Sequence, residues 1–198
     1  MKQVVIVGGG ETHETYEDYL AWLGNQEFNL SGNKPTGWKD TLQEDLGKDF
    51  QVIRPRMPDS QNAEYEEWEI YFNTVVAELD DQAVFVGHSL GGLFLLNYLS
   101  NHFLAPRATM LIATPAHDCG SFMYPGTTGK DLGKVHIFQS LDDTVVDPGD
   151  AYRIKADILS AELHISKDSG HFYMQTNFPD LVRVIKSSFP KKGSVKKV

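Results

Sequence analysis

Six short, mostly apolar runs punctuate the chain: Val4–Val7, Phe50–Ile53, Ala83–Val86, Met110–Ala113, Val135–Phe138 and Leu163–Ile165. A strand with one wet face alternates polar and apolar residues. Runs that do not alternate suit parallel strands covered by helices on both sides. Helical patterns fill the intervals. Trp38, Leu42 and Leu46 repeat at four-residue spacing and stop at Gly47, a C-terminal signal. Tyr65, Trp68, Phe72, Val75 and Leu79 form a second stripe, with Glu64, Glu66 and Glu67 in the first turn, where the helix dipole favours acids. Leu93–Phe103 is apolar nearly all round and predicts a buried helix; Ala151–Leu159 and Leu181–Phe189 supply two more. Strand–helix alternation of this kind predicts a doubly wound α/β sheet of about six strands, mostly parallel, with ligands bound outside the strands' carboxyl ends.

Two stretches interrupt the alternation. Residues 11–37 make a long excursion after the first run, with a short helix expected around Tyr16–Leu23, and residues 114–133 are rich in Gly and Pro. No repeat or interdomain linker is visible. A length of 198 residues with 41% hydrophobic content suits one core, so residues 1–190 are expected to form a single domain. Residues 191–198 hold four lysines and are expected to be a flexible basic tail.

Charge and composition exclude several functions. The formal charge is −9, and removing the four tail lysines leaves −9 − 4 = −13 for residues 1–190. An acidic body repels phosphate backbones and anionic membranes, so neither nucleic acid nor membrane is expected as a partner. There is no apolar run of 18 residues to span a bilayer and no signal-peptide pattern, which makes the cytoplasm the default compartment. Cys119 is the single cysteine, so neither an internal disulfide nor a thiolate metal cluster can form. No H-E-x-x-H occurs, His117-Asp118 lacks a partner at ligand spacing, and no metal is expected. Gly8-Gly9-Gly10 follows the first strand, but a dinucleotide fingerprint would need glycine at His13, and Arg54 stands where a ribose-binding acid belongs. No cofactor is expected.

The chemistry concentrates in Gly87-His88-Ser89-Leu90-Gly91, a G-x-S-x-G sequence between an apolar strand and a helix. Chance places these three letters in a chain of this length roughly once in twenty; the strand–turn–helix context is what marks a nucleophile elbow. The ordinary reading, a glycine-rich turn with a capping serine, is the weaker one. A serine hydroxyl needs a base, and the chain order on this fold is Ser, then Asp or Glu, then His. Of the seven histidines, His13 and His88 precede Ser89, His102 lies on the helix after the elbow, and His136 and His164 fall within strands. His117 is a minor candidate; His171, in the loop after the last strand, is the expected base. For the acid, the loop after Val135–Phe138 offers adjacent Asp142 and Asp143, which position alone does not separate. The Leu90 N–H is the expected first oxyanion donor, and the Gly8–Gly10 loop the second, with Gly10 preferred and Glu11 as an alternative. Phe122, Met123, Tyr124 and the 11–37 excursion either wall the substrate pocket or pack against the core.

Taken together, these residues resemble the small single-domain serine hydrolases related to retinoblastoma-binding protein 9 and their bacterial relatives. The resemblance runs from Val4–Gly10 through Arg54-Pro55-Arg56-Met57-Pro58, Tyr65-Glu66-Glu67-Trp68, the elbow, and the 142–146 loop to Gly170-His171-Phe172. It implies a reduced α/β-hydrolase fold without a cap domain, no cofactor, and esterase-like chemistry on a small ester, thioester or amide. The family's catalytic aspartate is followed by one residue and two apolar ones. That pattern fits Asp143-Thr144-Val145-Val146 and favours Asp143 over Asp142. Two departures stand out: Gly8 replaces a frequent histidine, and the Leu-x-Cys-x-Glu retinoblastoma-binding motif is absent, so that protein partner is not inferred. A binding protein that keeps the hydrolase fold without turnover is the competing function.

Overall fold

The computed structural model of the chain describes residues 1–26, 37–80, 82–126, 129 and 131–190. Strands β1 (Lys2–Val7), β2 (Phe50–Ile53), β3 (Val84–His88), β4 (Ala108–Ile112), β5 (Lys134–Ser140) and β6 (Glu162–Ser166) form one sheet in the order β2-β1-β3-β4-β5-β6. Every pairing is parallel. The helices are α1 (Tyr16–Gly24), α2 (Trp38–Leu46), α3 (Tyr65–Val76), α4 (Leu90–Asn101), α5 (Pro148–Asp157) and α6 (Pro179–Ser188). The expected tail at 191–198 and the excursion's residues 27–36 lie outside the described residues.

The central apolar runs are strands because both sheet faces are dry there, whereas the edge strands β2 and β6 are partly exposed. Val5, Val7 and Phe85 enter a core shared with Trp68 and Phe72 of α3, Leu93 and Phe94 of α4, and Ile154 of α5. Val4, Ile6, Val84 and Val86 enter the opposite core with Trp38, Leu42 and Leu46 of α2 and Leu181, Val184 and Ile185 of α6. Burying each such side chain contributes roughly 1.5–3 kcal/mol, which is why one apolar stripe suffices to seat a helix. In contrast, α1 buries no residue; a capping box holds its start, with the Asp18 amide donating to Thr15 Oγ1 at 3.1 Å.

Among the boundaries that differ from the sequence expectation, those of β3 and α4 bear on the site. Strand β3 continues through Gly87 and His88, which pair with Leu111 and Ile112, so the turn is confined to Ser89. Helix α4 starts directly after that serine and ends before Phe103, which is 99% exposed rather than buried, because the backbone at His102 is extended.

Strand order reverses direction between β1 and β3, since β2 lies on one side of β1 and the later strands on the other. At such a switch point the loops leave the sheet in opposite directions and open a crevice at the carboxyl ends. The loop of Gly8–Gly10 and Ser89 flank this crevice.

Candidate active site

Ser89 occupies the turn between β3 and α4 with φ 57° and ψ −130°, a conformation that costs a non-glycine residue of order 1–3 kcal/mol. The surroundings impose it. The Ser89 amide donates to the Ile112 carbonyl at 2.9 Å, and the Ser89 carbonyl accepts from the Gly92 amide at 2.8 Å. A Cβ at Gly91 would collide with the carbonyls of Val7 and Gly8, and one at Gly92 with the Thr114 side chain. These two glycines let α4 lie against β1 and the residues following β4. Leu90 takes the first position of α4, whose N–H has no partner within the helix.

The structure brings His171 and Asp143 together in a buried pair. The His171 Nδ1 lies 2.9 Å from Asp143 Oδ2 and 3.1 Å from Oδ1, with side-chain exposures of 3% and 0%. A carboxylate so enclosed must be satisfied on all sides. Gln139 Nε2 donates to Oδ2 at 3.1 Å, and the amides of Val145 and Val146 donate to Oδ1 at 2.8 and 3.1 Å. The other ring nitrogen, His171 Nε2, is buried with no hydrogen-bond partner among the described residues. Its backbone lies between two left-handed residues, Gly170 (φ 51°) and Phe172 (φ 58°).

Adjacent Asp142 is turned elsewhere. It is exposed, yet accepts from Ser140 Oγ at 2.5 Å and from the Gly170 amide at 2.9 Å. The Ser140 hydroxyl, bonded to it first and foremost, holds its carboxyl below the usual range. Ser140 Oγ also accepts from the Ser169 amide at 2.9 Å. The end of β5 thus grips the segment that carries His171.

In the first loop, a Cβ at Gly9 would stand 3.0 Å from Ser89 Cβ and 3.4 Å from Ser89 Oγ, whereas Gly10 sits against the Ser60 carbonyl, Trp68 and Leu90. The Glu11 amide is committed to the Ser60 carbonyl at 2.9 Å.

Reasoning from sequence missed Lys39, His88 and Tyr173. His88, fully buried, has Nε2 2.9 Å from the His171 carbonyl and Nδ1 2.8 Å from Lys39 Nζ. Because an ammonium only donates and a carbonyl only accepts, one tautomer satisfies both contacts: Nδ1 accepts and Nε2–H donates. Burial, and then the Lys39 charge, push the His88 pKa well below 6.5, so the ring stays neutral. Burial also lowers Lys39 to about 8, with the nearby Arg54 charge acting in the same direction. The Tyr173 ring lies 4.7 Å from that of His171 and 5.3 Å from that of His88.

The remaining histidines are spent elsewhere. His117 faces Asp150 at 3.1 Å, His102 faces Glu69 at 2.8 Å, and His13 lies 3.1 Å from the Gln61 carbonyl. Among the described residues one group has metal-ligand composition: His136, Glu162 and His164, at the amino ends of β5 and β6 and away from Ser89. Of the expected pocket wall, Phe122 is a core residue against Tyr65 and Trp68, and Tyr124 is tied to Asp157 at 2.8 Å, while Met123 and, in the excursion, Tyr16 and Leu20 are well exposed.

A cleft of about 530 Å³ opens beside the first loop, lined by Gly8, Gly9, Lys39, Arg54, Arg56 and Tyr173 among others. Its size is that of a small-ligand site.

Comparison with known proteins adds a family. The model of the family described as Serine hydrolase matches residues 29–187. Serine hydrolase RBBP9 of Rattus norvegicus is 29% identical over 164 residues, which span 76% of this chain and 86% of that protein. The ydeN gene product of B. subtilis superposes with a TM-score of 0.75 at 21% identity, over 96% of this chain and 100% of that one. MGS-MChE2, an alpha/beta hydrolase enzyme from a sediment metagenome of the lagoon of Mar Chica, Morocco, superposes at 0.63 and 14% identity, over 94% and 89%. The single-domain sheet described above is therefore that of an α/β hydrolase.

Proposed function

Since the chain belongs to the serine hydrolase family, we propose that it cleaves a small ester, thioester or amide through an acyl-enzyme on Ser89. The observation that carries this reading is the buried Asp143–His171 pair, with Nδ1 on the carboxylate and Nε2 unpartnered. Held by Asp143, the ring keeps its proton on Nδ1 and offers Nε2 as the base. A buried polar atom left without a partner in a native fold calls for an explanation, and the Ser89 proton supplies one.

In the proposed reaction, Ser89 Oγ attacks the carbonyl carbon as His171 Nε2 takes its proton. The carbonyl oxygen becomes an oxyanion, which the Leu90 and Gly10 amides stabilise; one such donor is typically worth about 10²–10³ in turnover. His171 then protonates the departing alcohol, thiol or amine. Water, deprotonated by the same nitrogen, releases the acid and restores Ser89. Asp143 stabilises the imidazolium throughout, and it is held in place by hydrogen bonds from Gln139, Val145, Val146 and His171.

Mass measurement of the intact protein after fluorophosphonate treatment tests the reading. One adduct on the wild type, absent in Ser89→Ala and slowed far more by Asp143→Ala than by Asp142→Ala, is expected. A folded wild type that takes no adduct would leave a binding protein on a hydrolase fold.

A further inference from the structure

The Arg54–Pro58 segment is not used by the reaction above, yet it borders it. Strand β2 ends at Ile53, beside β1, and Arg54, Pro55 and Arg56 leave it at the same carboxyl edge as Gly8 and Gly9. From these observations we propose that the cleft beside Ser89 is a subsite for an oxyanion carried by the acyl compound, held by Arg54, Arg56 and Lys39. The assignment rests on the hydrolase reading for its turnover, and on the cleft alone for its binding.

The first argument is charge. In a chain with 18 basic and 27 acidic residues, three basic side chains line one cleft and no acid does. Asp40 stands behind it and bonds one arginine, Arg54 Nη1, at 2.7 Å. Glu11 and Asp143 are the other carboxylates nearby, both close enough to raise the Tyr173 phenol after burial has done so first. A low-dielectric cleft of one sign concentrates ligands of the other.

The second argument is preorganisation. Arg54 Nη1 also donates to the Lys39 carbonyl at 2.8 Å, which fixes the fork while leaving Nε and Nη2 to a ligand. Lys39 is held by His88 Nδ1, and an ammonium has two further protons. Arg56 makes no hydrogen bond or ion pair among the described residues. Its backbone is nonetheless anchored, since Met57 is buried and the Pro58 carbonyl accepts from Trp68 Nε1 at 2.8 Å. A fixed backbone with an unspent guanidinium is the arrangement a carboxylate or phosphate ligand completes.

The third argument is proximity. Gly9 lines the cleft and backs onto Ser89, and Tyr173 lines it while touching His171. An anion in the cleft therefore lies within one small molecule's length of the proposed nucleophile.

The oxyanion can sit on the acyl chain as a carboxylate or on the leaving group as a phosphate, and two substrate pairs separate them. The first is the 4-nitrophenyl ester of glutarate against that of its neutral monomethyl ester. The second is an S-acyl phosphopantetheine against the S-acyl pantetheine. At 0.15 M salt, one pair is expected to show kcat/KM at least tenfold higher for the anionic member. The ratio should fall toward one in Arg56→Gln, which gives up no existing bond, and in Arg54→Gln/Arg56→Gln. In Arg183→Gln, a surface arginine of α6, it should be unchanged. Binding of the same pairs to Ser89→Ala reads the subsite without turnover, and the same tenfold preference is expected there. Equal binding and equal kcat/KM within both pairs overturn the subsite, as does a preference that survives in a double variant melting like wild type. Preferential binding by a wild type that takes no fluorophosphonate would keep the subsite and sink the hydrolase reading.

Discussion

The carboxylates of Asp142 and Asp143, neighbours in sequence, reach residues 170 and 171: Asp142 Oδ1 accepts from the Gly170 amide at 2.9 Å, and Asp143 Oδ2 meets His171 Nδ1 at 2.9 Å. One aspartate places the loop and the other holds the ring. Their removal should differ in kind. Asp143→Ala leaves an unoriented imidazole and is expected to slow fluorophosphonate labelling by about 10³-fold or more. Asp142→Ala loosens the loop and should slow it by about tenfold or less, a loss of a magnitude that displacement of a catalytic group by a fraction of an ångström produces. Pseudo-first-order labelling rates decide between them.

His88 gives the fold an acid limit. Its pKa is lowered well below 6.5 in the folded chain, so between those values the unfolded chain binds a proton that the folded one refuses. This contribution to stability is complete above about pH 6.5 and is lost as pH falls through the folded value. Urea unfolding at pH 7.5 and 5.0 should show a smaller acid loss in His88→Gln than in wild type.

Lys39 acts at the other end of the scale. With its folded pKa at about 8 against 10.5 unfolded, the unfolded chain holds the extra proton between these values, and stability should rise with pH across that window. Lys39→Met removes this slope, and unfolding midpoints at pH 8, 9 and 10 measure it.

Strain at the elbow predicts a trade between stability and activity. Ser89→Gly should remove labelling altogether while raising stability by about 1 kcal/mol, because glycine adopts φ 57° without penalty. Calorimetry would show a higher Tm; an unchanged or lower value would mean the turn is not strained.

Two glycines test packing against chemistry. Gly92→Ala drives a methyl into Thr114 and should cost about 1–3 kcal/mol of stability. Gly9→Ala instead crowds Ser89 Cβ at 3.0 Å, and should depress turnover more than tenfold with a smaller change in Tm. Paired melting and rate measurements read the contrast.

Most of the sheet and helices were legible in the sequence because the central apolar runs face two dry layers, α2 and α3 each show one stripe and α4 is apolar nearly all round; α1, which buries no residue, has no such signal. Chain order and loop position narrowed the candidates at the carboxyl edge to Ser89, His171 and the adjacent Asp142 and Asp143; the choice of Asp143 came from the family resemblance, and the structure sets Asp143 against His171. Lys39 was not, since its meeting with His88 depends on how α2 packs across the elbow, a contact between residues 49 positions apart. Phe122 illustrates the opposite difficulty: an aromatic residue in a glycine-rich loop has the same local signal whether it walls a pocket or, as here, closes over Trp68. The hold of Asp142 on the loop was not legible either, because nothing near it in sequence marks the Gly170 amide as its partner.

Strand order also sets a timetable. The elbow and its supporting glycines need only β1, β3, β4 and α4, all within the first 112 residues, whereas Asp143 and His171 follow β5 and β6 at the far margin of the sheet. A chain emerging from the ribosome in this order completes the elbow before the residues proposed to activate its serine. On the proposed mechanism, a chain that stops before residue 171 would carry an inert hydroxyl.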